Sequence, residues 1–510
     1  MPTRSSSSSI DDLGMDLLEN ILARLPSVDF AYADCVSRSW NHVCSRRVLC
    51  RPKLSSACSM SRSLGVAVED AVNKVLLEPI RPHFAIASVF QFDLDEAHQL
   101  INAKLGSKFP LITVGRRDAA SSNESKETRV YTWKDCSIKA AFDHSHLWQT
   151  GKGGIMLTIG FVPGLKLQSI PLLKQGSGAL MIDKFMTDIR EFSRGPHSPA
   201  TILIFTEPKV GMDAVMQKLG INIHMRLSLL RILPCHRKLP LLVITACIVI
   251  LMEVQGKRNS PAAAAVSLVF VMDTNKPAGI GKTEFHVQLS SGMLPTGPVF
   301  AAASIKNRCR LSTTVVARAD GPCENLDGGT TAINQAYTAL ERLYDTTLPS
   351  EIYIGITKRR KCSSIGGMTS LAFYDMVCCS PEYLSIQNTD MGVIETSDTF
   401  RLFYKDPTTV AANVSNGLRS YKQWSTTRGD KWEVLGGLVF TSSYRGGKSL
   451  DQPNVDTSLF FDNFPTATLG STFYGPVFGR GNVEESQDHK SLCCYMHEYC
   501  GAYLILSYAP

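Results

Sequence analysis

Charge is scarce in this 510-residue chain, aromatic residues are few, and no apolar stretch is long enough to cross a bilayer. Charged residues make up 19% and aromatics 8%, and 53 Lys and Arg against 46 Asp and Glu leave a formal net charge of only +7. Spread over this length, that excess gives no basic stripe, so nucleic acid is not an expected partner. The longest apolar run, "LPLLVITACIVILM" from Leu239 to Met252, is 14 residues, whereas a bilayer span needs about 20. A buried strand or helix is the first expectation there, a membrane segment the lesser one. The opening "MPTRSSSSS" lacks the apolar centre of a secretory signal and reads as a disordered tail, residues 1–9. Fifteen cysteines in that setting read as reduced thiols, and the expected compartment is the cytoplasm, the nucleus or both.

Motifs for chemistry are also missing. A phosphate-binding loop needs G-x-x-x-x-G-K-[ST], because its first glycine lets backbone amides wrap the phosphate. Lys276 holds that position in "KPAGIGKT" and Ser442 holds it in "SSYRGGKS". Neither G-x-S-x-G nor H-E-x-x-H occurs, since Gly501 stands where a second histidine would follow His497-Glu498. His489, Cys493, Cys494, His497 and Cys500 offer zinc-type donors, but they run into an apolar strand instead of forming two knuckle-like pairs. No catalytic residue, cofactor or metal is expected. "KRRK", Lys358 to Lys361, reads as a solvated turn, with nuclear targeting as the lesser alternative.

Periodicity organises what is present. "GVAVEDAVNKVLLEP" puts Val68, Val72, Val75 and Leu76 on one helical face and stops before Pro79, and a strand follows over Phe84 to Phe90. The same alternation continues through "DLDEAHQLINAKLG", "PLITVGR", "GGIMLTIGFV", "IDKFMTDIREFSRG", "ATILIFT" and "GMDAVMQKL", which predicts helices covering a sheet. From about Ala262 it restarts with "AAAVSLVFVMD" and "EFHVQLSSG", then a helix over "TTAINQAYTALERLY", a strand at "EIYIGIT" and short strands through "AYLILSYAP". No L-x-x-L-x-L, Trp-Asp or kelch period appears, which disfavours solenoids and propellers.

The N-terminal unit differs in kind. Leu17, Leu18, Ile21, Leu22 and Leu25 form a helical stripe ended by Pro26. Ser27 is placed to cap a second helix running to about Val36, and Ser37 to start a third carrying Trp40 and Val43. So few residues cannot bury both faces of three short helices, which predicts an apolar side left for a partner. The polar, Ser-rich segment 51–63 reads as a linker to the rest.

Leu13, Leu17, Ile21, Leu25, Pro26, Asp29, Val36 and Trp40 in this order resemble the F-box over residues 10–50, with Gly14, Phe30 and Ser37 departing from the usual pattern. The remainder is similar to a pair of FIST modules, through "EPIRPHFAIASVF", "PAGIGKTEFHVQLSSGMLPTGP", "PNVDTSLFFDNFP" and "AYLILSYAP". The resemblance implies a mixed α/β fold, with a three-helix F-box followed by a FIST N-like domain over 64–270 and a FIST C-like domain over 271–510. It further implies a non-catalytic substrate receptor of an SCF ubiquitin ligase, joined to a Skp-family adaptor and through it to cullin and RING subunits. Leu13, Leu17, Ile21, Leu25, Phe30, Val36 and Trp40 are then the expected adaptor contacts, and the protein target stays unspecified. A signalling protein whose FIST body senses an amino-acid-like ligand is the alternative, and an undetected hydrolase or transferase a third. Residues 221–257 depart from the FIST pattern, leaving open a membrane-like insert, a core element or a gene-model error.

Overall fold

The computed structural model describes residues 14–115, 153–206, 241–249, 263–319, 352–379, 384–387, 398–442, 455–480 and 493–510, with small gaps inside several ranges, and scattered positions between 210 and 218. In chain order its helices are α1 (Met15–Leu22), α2 (Ser27–Ala33), α3 (Arg38–Val43), α4 (Leu64–Val75), α5 (Leu94–Leu105), α6 (Ile182–Phe192), α7 (Pro407–Thr427) and α8 (Val455–Asn463). A single π turn, Cys44–Val48, continues α3.

Three sheets carry the rest. The first contains β1 (Lys53–Ser61), β2 (Phe84–Phe90), β3 (Leu111–Gly115), β4 (Gly153–Phe161) and β8 (Cys247–Val249), ordered β1-β4-β2-β3-β8. The second contains β10 (Lys282–Ser290), β17 (Glu433–Ser442), β18 (Thr468–Tyr474) and β21 (Gly501–Ala509), ordered β10-β21-β17-β18. One wing of the third sheet comprises β5 (Leu165–Leu173), β6 (Thr201–Thr206), β7 (Leu241–Thr245) and β9 (Ala263–Met272). Through β19 (Val477–Arg480) and β20 (Cys493–His497) this wing joins six more strands. These are β11 (Met293–Cys309), β12 (Ser312–Ala319), β13 (Ile352–Arg360), β14 (Met368–Cys379), β15 (Leu384–Gln387) and β16 (Thr399–Lys405). Their pairings run β13-β16-β11-β12-β15-β14 and return from β14 to β13, closing a ring.

Side-chain alternation fixes how the layers stack. In β2, Phe84 and Ile86 enter a central core while Ala85 and Ala87 face the helices, where small side chains let α4 lie close. Likewise Leu203 and Phe205 of β6, Leu268 and Phe270 of β9, and Leu504 and Leu506 of β21 point into the central core. Their neighbours point outward: Ile202 and Ile204 under α6, and Tyr503 and Ile505 under α7 and α8. Strands from all three sheets therefore share one apolar centre, and helices cover the outer face of the first sheet, of the β5–β6–β9 wing and of the second sheet. The expected boundary between residues 270 and 271 falls inside β9, and the central core takes residues from both sides of it.

One expectation changes. Segment 51–63 is no linker: β1 pairs antiparallel with β4 along its whole length, from Lys53 opposite Phe161 to Ser61 opposite Gly153. Its serines hid it, because pairing with an apolar neighbour holds this edge strand where composition alone does not. The apolar run from Leu239 forms two strands, β7 beside β6 and β8 beside β3, so it crosses between sheets; no described helix is long and apolar enough to cross a membrane. In "KPAGIGKT", Lys276 turns back and donates from Nζ to the carbonyls of Ile280 and Gly281, both at 2.8 Å, so its ammonium serves its own turn. The predicted helices in "GMDAVMQKL" and "TTAINQAYTALERLY" lie outside the described residues, apart from scattered positions in the first, as does "SYRGGKS".

Candidate functional site

The N-terminal cap sits on the outer face of the first sheet, against α4 and the connection from α4 to β2. Its buried side chains, Leu18, Leu22, Phe30, Ala33, Val43, Cys44 and Leu49, form one continuous core with Val68, Val72, Val75 and Ile80 and with Ile155, Leu157 and Ile159 of β4. Ser37 caps α3, accepting the Trp40 amide at 3.2 Å, as its position predicts. Arg47, after α3, pairs with Asp16 at 2.6 Å and Glu19 at 3.0 Å and holds α1 against the π turn.

Ser27 does not cap α2. Its amide donates to the Leu76 carbonyl at 2.8 Å, and its hydroxyl donates to the Glu78 carbonyl at 2.7 Å and accepts the Ile80 amide at 3.3 Å. Beside this clasp, Asp34 accepts Arg81 at 3.0 Å and Asn41 at 2.9 Å. A second anchorage reaches the C-terminal half. Arg46 donates to the Ala278 carbonyl at 3.2 Å, the Tyr508 hydroxyl donates to the Cys50 carbonyl at 3.4 Å, and Arg51 approaches Glu433 at 3.5 Å. The cap is thus docked on the body at two places.

What this docking leaves outside is apolar. Among the described residues, the exposed large hydrophobic side chains are Met15, Leu17, Ile21, Val28, Tyr32, Val36, Val66, Leu77, Val299 and Trp424. The first six lie in α1, α2 and the turn after them. Leu17 (59% exposed) and Ile21 are four apart on α1, while Val28, Tyr32 (72%) and Val36 continue at the same interval along and beyond α2. That spacing puts each set along one row of its helix, about 100° round from Leu18 and Leu22 on α1 and on the far side from Phe30 on α2.

The expected contacts therefore divide. Leu17, Ile21 and Val36 are on the open face, Leu25 and Trp40 are half-buried against the cap's own core, and Phe30 is inside it at 3% exposure. Leu13 lies outside the described residues. Phe30 joins Ala33, Leu18 and Leu22 in the buried cluster beneath the cap. Sequence reasoning missed Val28 and Tyr32, although their four-residue spacing from Val36 was the available signal.

Residues 10–52 match the F-box domain family model. The chain is also 31% identical to the F-box/LRR-repeat protein At5g63520 of Arabidopsis thaliana over 529 aligned positions, covering 97% of this chain and 92% of that protein. The chain belongs to the F-box protein family. F-box domains typically bind a Skp adaptor within SCF complexes, and F-box proteins are generally non-catalytic subunits of those ligases. The relative's name mentions leucine-rich repeats; the described residues of this F-box protein form the three sheets above, and no L-x-x-L-x-L period runs through its sequence.

Cys44, Cys58 and His98 are titratable groups in or against the first sheet, and burial shifts each of them. Burial, and after it Asp34, pushes the Cys44 thiol up to about 11, and burial pushes Cys58 to about 11, so neither is a thiolate at neutral pH. His98 is buried and shares a 2.8 Å hydrogen bond with Thr113, and burial lowers its pKa. Cys493, Cys494 and His497 all belong to β20, where Cys493 and Cys494 register with Thr369 and Ser370 and His497 with Val477. His489 and Cys500 lie outside the described residues.

Proposed function

We propose that this F-box protein is the substrate-recognition subunit of an SCF-type ubiquitin ligase, with Leu17, Ile21, Val28, Tyr32 and Val36 meeting the Skp-family adaptor. The observation that carries this reading is the split of the cap into a face spent on the body and an equally apolar face left open. Burying such side chains in a partner's pockets is how a small interface gains most of its affinity. Through the adaptor the receptor joins cullin and RING subunits in the cytoplasm or nucleus, and promotes ubiquitination and proteasomal degradation of a bound protein. Its contribution to rate is positional: an acceptor lysine held near a charged conjugating enzyme gains effective concentration without any catalytic side chain on the receptor. Two anchorages between cap and body suit that task, because a fixed adaptor face holds whatever the body binds at a fixed place.

The body is read as a FIST-like pair that selects the target. Supporting this, three of the four segments that carry the resemblance supply β2, β10 and β21, strands that build the central core.

The test is recovery of adaptor and cullin on the wild-type chain and on a Leu17→Asp, Ile21→Asp double variant. Both positions are exposed, so the variant should keep the wild-type melting temperature while losing both partners. Undiminished recovery would overturn the receptor assignment.

A further inference from the structure

Single exposed hydrophobics are ordinary on a protein surface, and Val66, Val299 and Trp424 need no account. Leu77 is different because of where it is tied. It is 62% exposed in the connection between α4 and β2, flanked by the half-buried Leu76 and followed by the buried Pro79 and Ile80. Ser27, the first residue of α2, bonds the Leu76 carbonyl at 2.8 Å and the Glu78 carbonyl at 2.7 Å, so its two bonds straddle Leu77. Consecutive Cα atoms are about 3.8 Å apart, so these bonds keep the backbone at Leu77 within about 10 Å of Val28, the first member of the open stripe on α2. Val28 is itself 55% exposed.

We propose that the adaptor-docking face is composite, extending from the F-box helices onto Leu77 of the body. This rests on the receptor reading above and names a contact outside the residues matched to the F-box. The occupant is the Skp-family adaptor because the Ser27 clasp ties the segment bearing exposed Leu77 to the start of α2, whose exposed Val28 and Tyr32 belong to the F-box face, before any partner arrives. The tail residues 1–9 are a poor alternative, since apart from Met1 and Pro2 they are Thr, Arg and Ser. A body residue within the adaptor contact would also read out whether the cap is docked: a cap detached at Ser27 would present the F-box stripe without Leu77 and bind more weakly.

The test uses the purified full-length chain titrated with a recombinant Skp-family adaptor. Leu77→Ser should weaken binding about tenfold without moving the melting temperature, while Val66→Ser, an equally exposed control, changes neither. Amide exchange at residues 77 and 78 should slow on adaptor binding. If Leu17→Asp with Ile21→Asp abolishes binding while Leu77→Ser leaves it unchanged, the composite face is overturned and the receptor reading survives. If neither variant matters, the receptor reading itself falls. Loss of self-association by the free chain in Leu77→Ser, with adaptor affinity intact, would instead assign the patch to a second copy. Slow exchange at 77 and 78 in the free chain that is relieved by deleting residues 2–9 would assign it to the chain's own tail.

Discussion

The cap and the strand layers use apolar residues in opposite ways. In β2, β6, β9 and β21 both faces are buried, and successive side chains alternate between two cores of the same molecule. In α1 and α2 apolar residues also point both ways, but only one side finds a core, and Leu17, Ile21, Val28, Tyr32 and Val36 remain in solvent. Exposure on this scale, in so short a segment, is the surface that the proposed function gives to the adaptor. The inward half is as demanding as any strand, since Leu22 and Val43 are fully buried among residues of α4 and β4.

The most severe way to break this contrast is to remove the body. Residues 1–52 alone lose Val68, Val72, Val75 and Ile80 as cover for Leu18, Leu22 and Phe30, and should show no cooperative thermal transition by circular dichroism. A sharp transition in that fragment would mean the cap is self-sufficient. Next in size is Leu22→Ala, which should cost about 2–5 kcal/mol in urea unfolding of the full chain, whereas Ile21→Ala, one residue away but exposed, should cost under about 0.5 kcal/mol.

A titration sharpens the contrast on the body side. His286 stacks on Tyr421 with ring centroids 4.2 Å apart, and burial lowers its pKa to about 4 despite a hydrogen bond that it donates to the Gln288 side chain, which acts the other way. Because the folded form resists protonation, stability is full above the unfolded value of about 6.5 and falls as pH drops from there towards 4. His286→Phe should remove up to about 3 kcal/mol of that acid-induced loss, measured as the difference between urea midpoints at pH 7 and pH 4. A smaller effect belongs to the clasp: Ser27→Ala should cost about 1 kcal/mol, and it should speed amide exchange at Ile80 before it speeds exchange in β4.

Much of the layer structure was legible because its signals are local. The helix over Leu94–Leu105 begins at Asp93, whose carboxylate accepts the Glu96 amide at 2.8 Å, and it ends at Gly106 with φ +86°. Phe84–Phe90 and Thr201–Thr206 are apolar runs of strand length bounded by breakers. What escaped depends on distant partners. β1 looks polar until β4 lies beside it, and nothing near Leu241 announces that β6 and β19 will flank it. Within the candidate site, the family pattern marked the helices but not their orientation. Leu17, Leu18, Ile21, Leu22 and Leu25 read as one stripe, and only the body decides that Leu18 and Leu22 go in while Leu17 and Ile21 stay out.

One residue, Ala246, separates β7 of the largest sheet from β8 of the first. The two sheets are therefore joined through the peptide chain by a connection one residue long. Sliding one sheet over the other would pull on the hydrogen bonds from β7 to β6 or from β8 to β3.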